Sequence, residues 1–228
     1  MVFPGFILTF KRAIISKMIN RKFFEIIIAG ILFLILSFNI SSAETQIDDK
    51  GWFTGIFTGY ASTKVETNNV FTQNNNTVIY GLYGGYNFTK WFGLEGKFMA
   101  TDDVADNRTD LKHAKFSSII LTPKLTYRFN DRNSMFFKTG IAWLVYTEEY
   151  EGFWSTRRQL NKFGKYYWRG GVIPLSIGMQ IDIVKGLKCR ISYDRMAGQL
   201  NADSTFKGRL PNVNVELNQV LAGLHYQF

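Results

Sequence analysis

The chain holds a single cysteine, Cys189, and two histidines, His113 and His225, among 228 residues. A lone thiol gives a protein in an oxidising compartment no internal disulfide, so stability must come from backbone pairing and packing. Two histidines leave few places for histidine-based proton transfer. After Ala43 no continuous apolar run is long enough for a membrane helix, since spanning a bilayer takes roughly 20 apolar residues. No cysteine follows the early apolar run either, which argues against a lipid-anchored lipoprotein.

What the chain does have begins at its N-terminus. Lys11, Arg12, Lys17, Arg21 and Lys22 precede an apolar run from Ile26 to Leu36, and Ser41-Ser42-Ala43 follows with small residues at both positions a signal peptidase inspects. Residues 1–43 therefore have the pattern of a secretory signal peptide. Met18-Ile-Asn-Arg-Lys would make a complete charged start by itself, so translation from residue 18 is an open alternative. Phe23 to Ile40 approaches membrane-spanning length, but Glu25, Asn39 and the Ser-Ser-Ala site favour cleavage over an uncleaved helix. Removing the leader leaves residues 44–228, one domain by length, and lowers the formal charge from +9 to +5.

The last twelve residues, Leu217 to Phe228, alternate. Phe228, Tyr226, Leu224, Ala222 and Val220 fall on one face, and Gln227, His225, Gly223 and Gln219 on the other, which suits lipid outside and a polar interior. Leu217 and Leu221 break the pattern by falling on the polar face. Similar segments of about ten residues, the length of a tilted membrane strand, occur near Gly51 to Ala61, Thr77 to Phe88, Phe92 to Thr101, Phe116 to Phe129, Met135 to Thr147, Gly171 to Ile183, Leu187 to Met196 and Val215 to Phe228. Tight connections at 89–91, 130–134 and 184–186 alternate with long polar ones at 62–76, 102–115, 148–170 and 197–214. The expected fold is an all-β, eight-stranded antiparallel transmembrane barrel with short periplasmic turns and long extracellular loops. A soluble sandwich is the alternative.

These residues resemble the eight-stranded transmembrane domain of the outer membrane protein A family over most of the mature chain. Gly51-Trp-Phe-Thr-Gly-Ile-Phe-Thr-Gly-Tyr60 is similar to its first strand, Gly84-Gly-Tyr-Asn and Gly93-Leu-Glu-Gly to its second and third, Pro123-Lys-Leu-Thr-Tyr127 to its fourth and Arg190-Ile-Ser-Tyr193 to its seventh. Gly223, Tyr226 and Phe228 match the family's closing signal for the barrel assembly machinery, with Leu221 as a departure. The sequence stops at strand eight, so a peptidoglycan-binding domain and a cell-wall tether are not expected.

By the resemblance, Glu95, Lys124, Lys138 and Arg190 occupy inward positions where the family carries ionic groups, and Gln180 replaces an expected glutamate. The residues themselves agree, because each charge alternates with an apolar neighbour: Leu94, Leu125, Phe137 and Ile191. Turned outward, a midplane Lys or Arg would cost about 2 to 4 kcal/mol. An eight-stranded barrel is just wide enough for side chains to fill, so these groups are expected to plug the lumen and pair with one another, with Glu95 serving Lys124 or Arg190. A narrow ion path between them is the second functional reading.

A rim enzyme acting on lipid is the third. His113, beside Asp110 and near Ser117 and Ser118, is its candidate, although no His-x-Ser pattern accompanies it; His225 is expected to be an inward polar residue. Asp102, Asp103, Asp106 and Asp110 offer oxygen ligands without the spacing of a calcium loop, so no metal or cofactor is expected. The segment 148–170 mixes Tyr150, Phe153, Trp154, Tyr166, Tyr167 and Trp168 with Arg157, Arg158, Lys162, Lys165 and Arg169 against Glu148, Glu149 and Glu151. Trp154, Arg157, Arg158, Lys162, Lys165 and Trp168 suit lipopolysaccharide or extracellular polyanions, or form an aromatic girdle with ordinary lipid contacts. Nucleic acid fits that chemistry but not the location. The expected role is that of a monomeric, non-enzymatic barrel with structural and surface-interaction functions, such as an adhesin.

Overall fold

The computed structural model describes residues 50–67, 71–104, 111–150, 164–203 and 211–228. The leader, residues 1–43, lies outside them. The strands are β1 (Gly51–Thr67), β2 (Phe71–Asn87), β3 (Phe92–Thr101), β4 (Leu111–Arg128), β5 (Asn133–Thr139), β6 (Ile141–Tyr150), β7 (Gly164–Val184), β8 (Leu187–Ala202) and β9 (Val213–Gln227). All pairings are antiparallel: β1 to β4 pair in sequence order, β5 and β6 each pair with β4 and β7, β7 pairs β8, β8 pairs β9, and β1 pairs β9 from Phe53↔Gln227 to Thr67↔Val213, which closes the ring. Closure leaves no strand edge to lipid.

β5 and β6 are two pieces of one stave, so nine strands make eight staves. The interruption at Gly140 has a local cause. β4 hands over from β5 at Lys124↔Lys138 to β6 at Leu121↔Ile141, and β7 from Thr139↔Leu175 to Val172↔Ala142. Gly140 thus lies opposite Pro174 on one neighbour, and Thr139 before it opposite Pro123 on the other, and proline has no N–H to give a ladder. The backbones also crowd: a Cβ at Gly140 would sit 2.2 Å from the Leu121 carbonyl oxygen. The sequence led us to expect an unbroken strand from Met135 to Thr147.

The short connections are capped turns. Thr89 Oγ1 accepts from the Trp91 and Phe92 amides at 3.3 and 3.0 Å, and Asn130 Oδ1 from the Arg132 and Asn133 amides at 3.0 and 2.7 Å. Gly186 turns β7 into β8 at φ +80°, a conformation that favours glycine.

Ile56, Leu82, Leu94, Phe98, Ile119, Leu125, Phe137, Ile177 and Leu224 point outward and are exposed, as a lipid-facing belt requires. Near the short turns it ends in an aromatic girdle that includes Trp52, Trp91, Tyr127, Tyr226 and Phe228, the last 71% exposed. Beyond its other edge the strands continue, and their polarity inverts. On β8, Ile191 and Tyr193 face outward but are succeeded by Arg195, Gln199 and Asn201; facing inward, Arg190, Ser192 and Asp194 give way to Met196 and Leu200. β9 switches between Val220 and Asn218, placing Asn214, Glu216 and Asn218 outside and Val213, Val215 and Leu217 inside. β1 does the same beyond Tyr60, with Ser62, Lys64 and Glu66 out and Val65 in.

The long connections are accordingly shorter than the sequence implied. Residues 62–67, 71–76, 111–115, 148–150, 164–170, 197–202 and 213–214, expected in loops, are strand. Their outward polar residues face water above the membrane, so composition alone resembles that of a loop.

Candidate functional site

Inside the belt, the small cross-section of the ring forces polar side chains from opposite staves into contact. Glu95 on β3, 1% exposed, is the hub. The Arg190 guanidinium on β8 donates to both of its oxygens, at 2.8 and 3.2 Å, and Lys138 Nζ on β5 donates to Oε1 at 2.7 Å. A second cluster, not anticipated from the sequence, sits beside it: Lys97 Nζ donates to Asp194 Oδ2 at 2.7 Å, and Ser176 Oγ to Oδ1 at 2.6 Å. Toward the short turns, Asp182 takes Arg128 Nη2 at 3.1 Å and Lys188 Nζ at 3.3 Å. The signal for both was present, since Lys97 lies two residues from Glu95 and Asp194 four from Arg190, on the same faces of their strands.

The five residues expected inside are all buried, but they are not equivalent. Glu95 bonds Arg190 and Lys138, whereas Lys124 stands directly opposite Lys138 in the β4–β5 register, with its ammonium 4.2 Å from the Phe53 ring centroid. Gln180 is opposite Arg190. Aromatic faces also take Arg190, 4.1 Å from the Phe136 centroid and 4.6 Å from that of Tyr83, and Lys97, 4.6 Å from that of Phe57. A desolvated cation–π contact contributes about 2 kcal/mol, while removing one partner of a buried ion pair costs about 3 to 5 kcal/mol. A ring therefore offsets only part of the burial of an unpaired cation. His225 is inward and buried, stacked on the same Phe53 ring at 4.8 Å, and neither of its ring nitrogens has a hydrogen-bond partner.

The free space in this region is small. A cavity lined by Glu95, Lys97, Lys138, Arg190 and Asp194 has a volume of about 10 Å³, enough for about one water molecule. Above it the interior becomes apolar: Ile79, Met99, Phe116, Leu144, Tyr146, Trp168, Met196, Leu200, Val213, Val215 and Leu217 form a buried core. Phe116 stacks on Tyr146 at 4.6 Å, and Tyr146 meets Trp168 at 5.6 Å. This plug explains Leu217 and Leu221, the residues that broke the alternation of the last strand: both are buried within it or at its lower edge.

The outer face above the belt carries cross-strand ion pairs: Arg195 with Glu216 at 3.0 Å, Arg169 with Asp203 at 2.5 Å and Lys165 with Glu149 at 3.2 Å. Of the residues expected to bind at the surface, Lys165 is exposed there, and Trp154, Arg157, Arg158 and Lys162 lie outside the described residues. Trp168 requires correction. Its side chain points into the barrel, 1% exposed, with Nε1 donating to the Pro211 carbonyl at 3.1 Å, because the alternation of β7 turns even-numbered positions inward.

His113, on the outer face of β4, bonds Asp103 through Nδ1, while Asp103 Oδ1 accepts from the Ala114 amide at 2.9 Å. Ser117 is four residues away along the same strand, about 13 Å at ~3.3 Å per residue. Ser118 faces inward and donates to the Trp143 carbonyl at 3.0 Å. The pair thus has an oriented histidine with neither serine in reach. Gly223, Tyr226 and Phe228 end the closing strand, with both aromatics facing outward in an edge-on contact of 5.1 Å.

An antiparallel ring with an apolar outer belt, an ionic interior and short turns at one end defines a transmembrane β-barrel. The chain belongs to the outer membrane protein β-barrel domain family, whose model matches residues 31–228, and that membership implies the bacterial outer membrane. Among solved structures it is similar to Neisserial surface protein A (8% identity, TM-score 0.56, covering 77% of this chain and 97% of that one). It is also similar to OprG of Pseudomonas aeruginosa (13%, 0.51, 81% and 99%) and to Ail, the attachment invasion locus protein of Yersinia pestis (17%, 0.49, 78% and 99%). At these identities the likeness is one of fold. No curated protein sequence matches the chain.

Proposed function

We propose that this protein is a non-conducting, non-enzymatic outer-membrane barrel with a structural and surface-interaction role, binding anionic glycans or lipopolysaccharide through its third extracellular loop. It works as a monomer, held by outer-membrane lipid, exported by a cleaved signal peptide and inserted by the barrel assembly machinery, for which Gly223, Tyr226 and Phe228 are the recognition residues.

The observation that carries this reading is the inversion of polarity above the belt. Strands that continue past the lipid and enclose an apolar core build a rigid platform, and rigid scaffolds carrying loops are suited to recognition. The same core obstructs the lumen, which speaks against conduction. Trp154, Arg157, Arg158, Lys162 and Lys165 supply the aromatic and cationic surface that sulfate or phosphate groups favour.

The test compares bacteria displaying the intact barrel with bacteria displaying a form in which Arg157, Arg158, Lys162 and Lys165 are changed to Gln, on an immobilised sulfated polysaccharide across a salt series. Salt-sensitive binding that the substituted form loses is the expected result. Equal or absent binding by two folded proteins would reduce the role to structural support.

A further inference from the structure

Among the described residues, the lower lumen has more buried cations than buried carboxylates. Lys97, Lys124, Lys138, Lys188 and Arg190 are buried there with three carboxylates, Glu95, Asp182 and Asp194. The other described buried acid, Glu148, accepts from the Tyr146 hydroxyl within the apolar plug, ten residues further along the stave that carries Lys138. Each of the three lower carboxylates already engages at least one cation. Lys124 is left over. It is 3% exposed, directly opposite another lysine, and has no ion-pair partner among the described residues.

Like charges placed directly across a ladder repel, and a ring face offsets less than a carboxylate does. Lys124 and His225 converge on Phe53, one through its ammonium and the other through a stacked ring with two unpartnered nitrogens. A neutral imidazole supplies one N–H donor and an ammonium three. Donors without acceptors, in a region with surplus positive charge, are complementary to an anion. Gln180, which faces Arg190 across the β7–β8 ladder, adds no negative charge.

We infer that the lower lumen binds a small inorganic anion of the size of chloride, with the Lys124 ammonium as its cationic contact. The ion supplies the negative charge that the side chains lack, so the folded barrel binds it and the unfolded chain does not. Anion concentration and stability are therefore linked.

The experiment uses the full barrel folded in detergent and compares unfolding midpoints in sodium chloride and in sodium gluconate at matched ionic strength. The wild-type midpoint is expected to rise saturably with chloride and to stay lower in gluconate. Lys124→Met removes the ammonium and is expected to abolish the difference between the salts. Gln180→Glu supplies an internal carboxylate and is expected to reduce it, which keeps the test decisive if Lys124→Met does not fold. Bromide should give an anomalous diffraction peak beside Lys124 Nζ. Equal midpoints in the two salts for the wild-type barrel, or a lumen without a bromide peak, would overturn the inference.

Discussion

Glu95 accepts from two cations with two oxygens, and its loss is not shared evenly. Glu95→Gln keeps the shape of the side chain but removes the charge between Arg190 and Lys138, which stay buried on their own staves. Breaking a buried pair from one side costs about 3 to 5 kcal/mol, so the unfolding midpoint in detergent should fall; an unchanged midpoint would show that the network contributes nothing. The inward positions of Glu95, Lys124, Lys138, Gln180 and Arg190 were legible because period-two alternation assigns a side chain to a face. Their partners were not. Which cation reaches Glu95 depends on the stagger of staves far apart in sequence, and Lys124, a sequence candidate for that role, lies over Phe53 instead.

At the scale of the strand, alternation proved more faithful than composition. Eight staves, their order and the three tight turns could be read directly. The outer thirds of the strands could not, because Ser62-Thr-Lys-Val-Glu-Thr67 resembles a loop until Val65 is seen as the inward residue of a water-facing strand. Trp168 was misplaced for the same reason: it was assigned to a loop when its parity in β7 points it inward. The break at Gly140 needed Pro174 aligned with it and Pro123 aligned with Thr139, which sequence neighbours do not reveal. The position of the inversion can be tested on β9. Leu224→Arg, in the belt, should destabilise the barrel by about 2 to 4 kcal/mol, and Asn218→Arg, just beyond it, by about 0 to 1 kcal/mol. Similar costs, measured by reversible unfolding in lipid vesicles, would place the boundary elsewhere.

For the whole molecule, the ionic layer and the apolar plug act in series. An ion that crossed the first would still meet the packed rings of Phe116, Tyr146 and Trp168, an apolar layer in which shedding its hydration shell is costly. The reconstituted barrel should show no discrete conductance in planar bilayers. Unitary steps that change with Lys138→Gln would reverse that conclusion and restore the ion-path reading.

The inversion of polarity also fixes how deep the protein sits. If the barrel sank by one residue pair, about 5 Å along the membrane normal for strands tilted near 45°, Lys64, Glu216 and Arg195 would descend toward hydrocarbon on three adjacent staves, while the girdle at Trp52 and Phe228 would emerge on the opposite side. A rise of the same size would lift Tyr60 and Tyr193 out of the interface. Vertical drift is opposed in both directions, so the upper strand ends are held at a constant height above the lipid surface, independent of what binds beyond them.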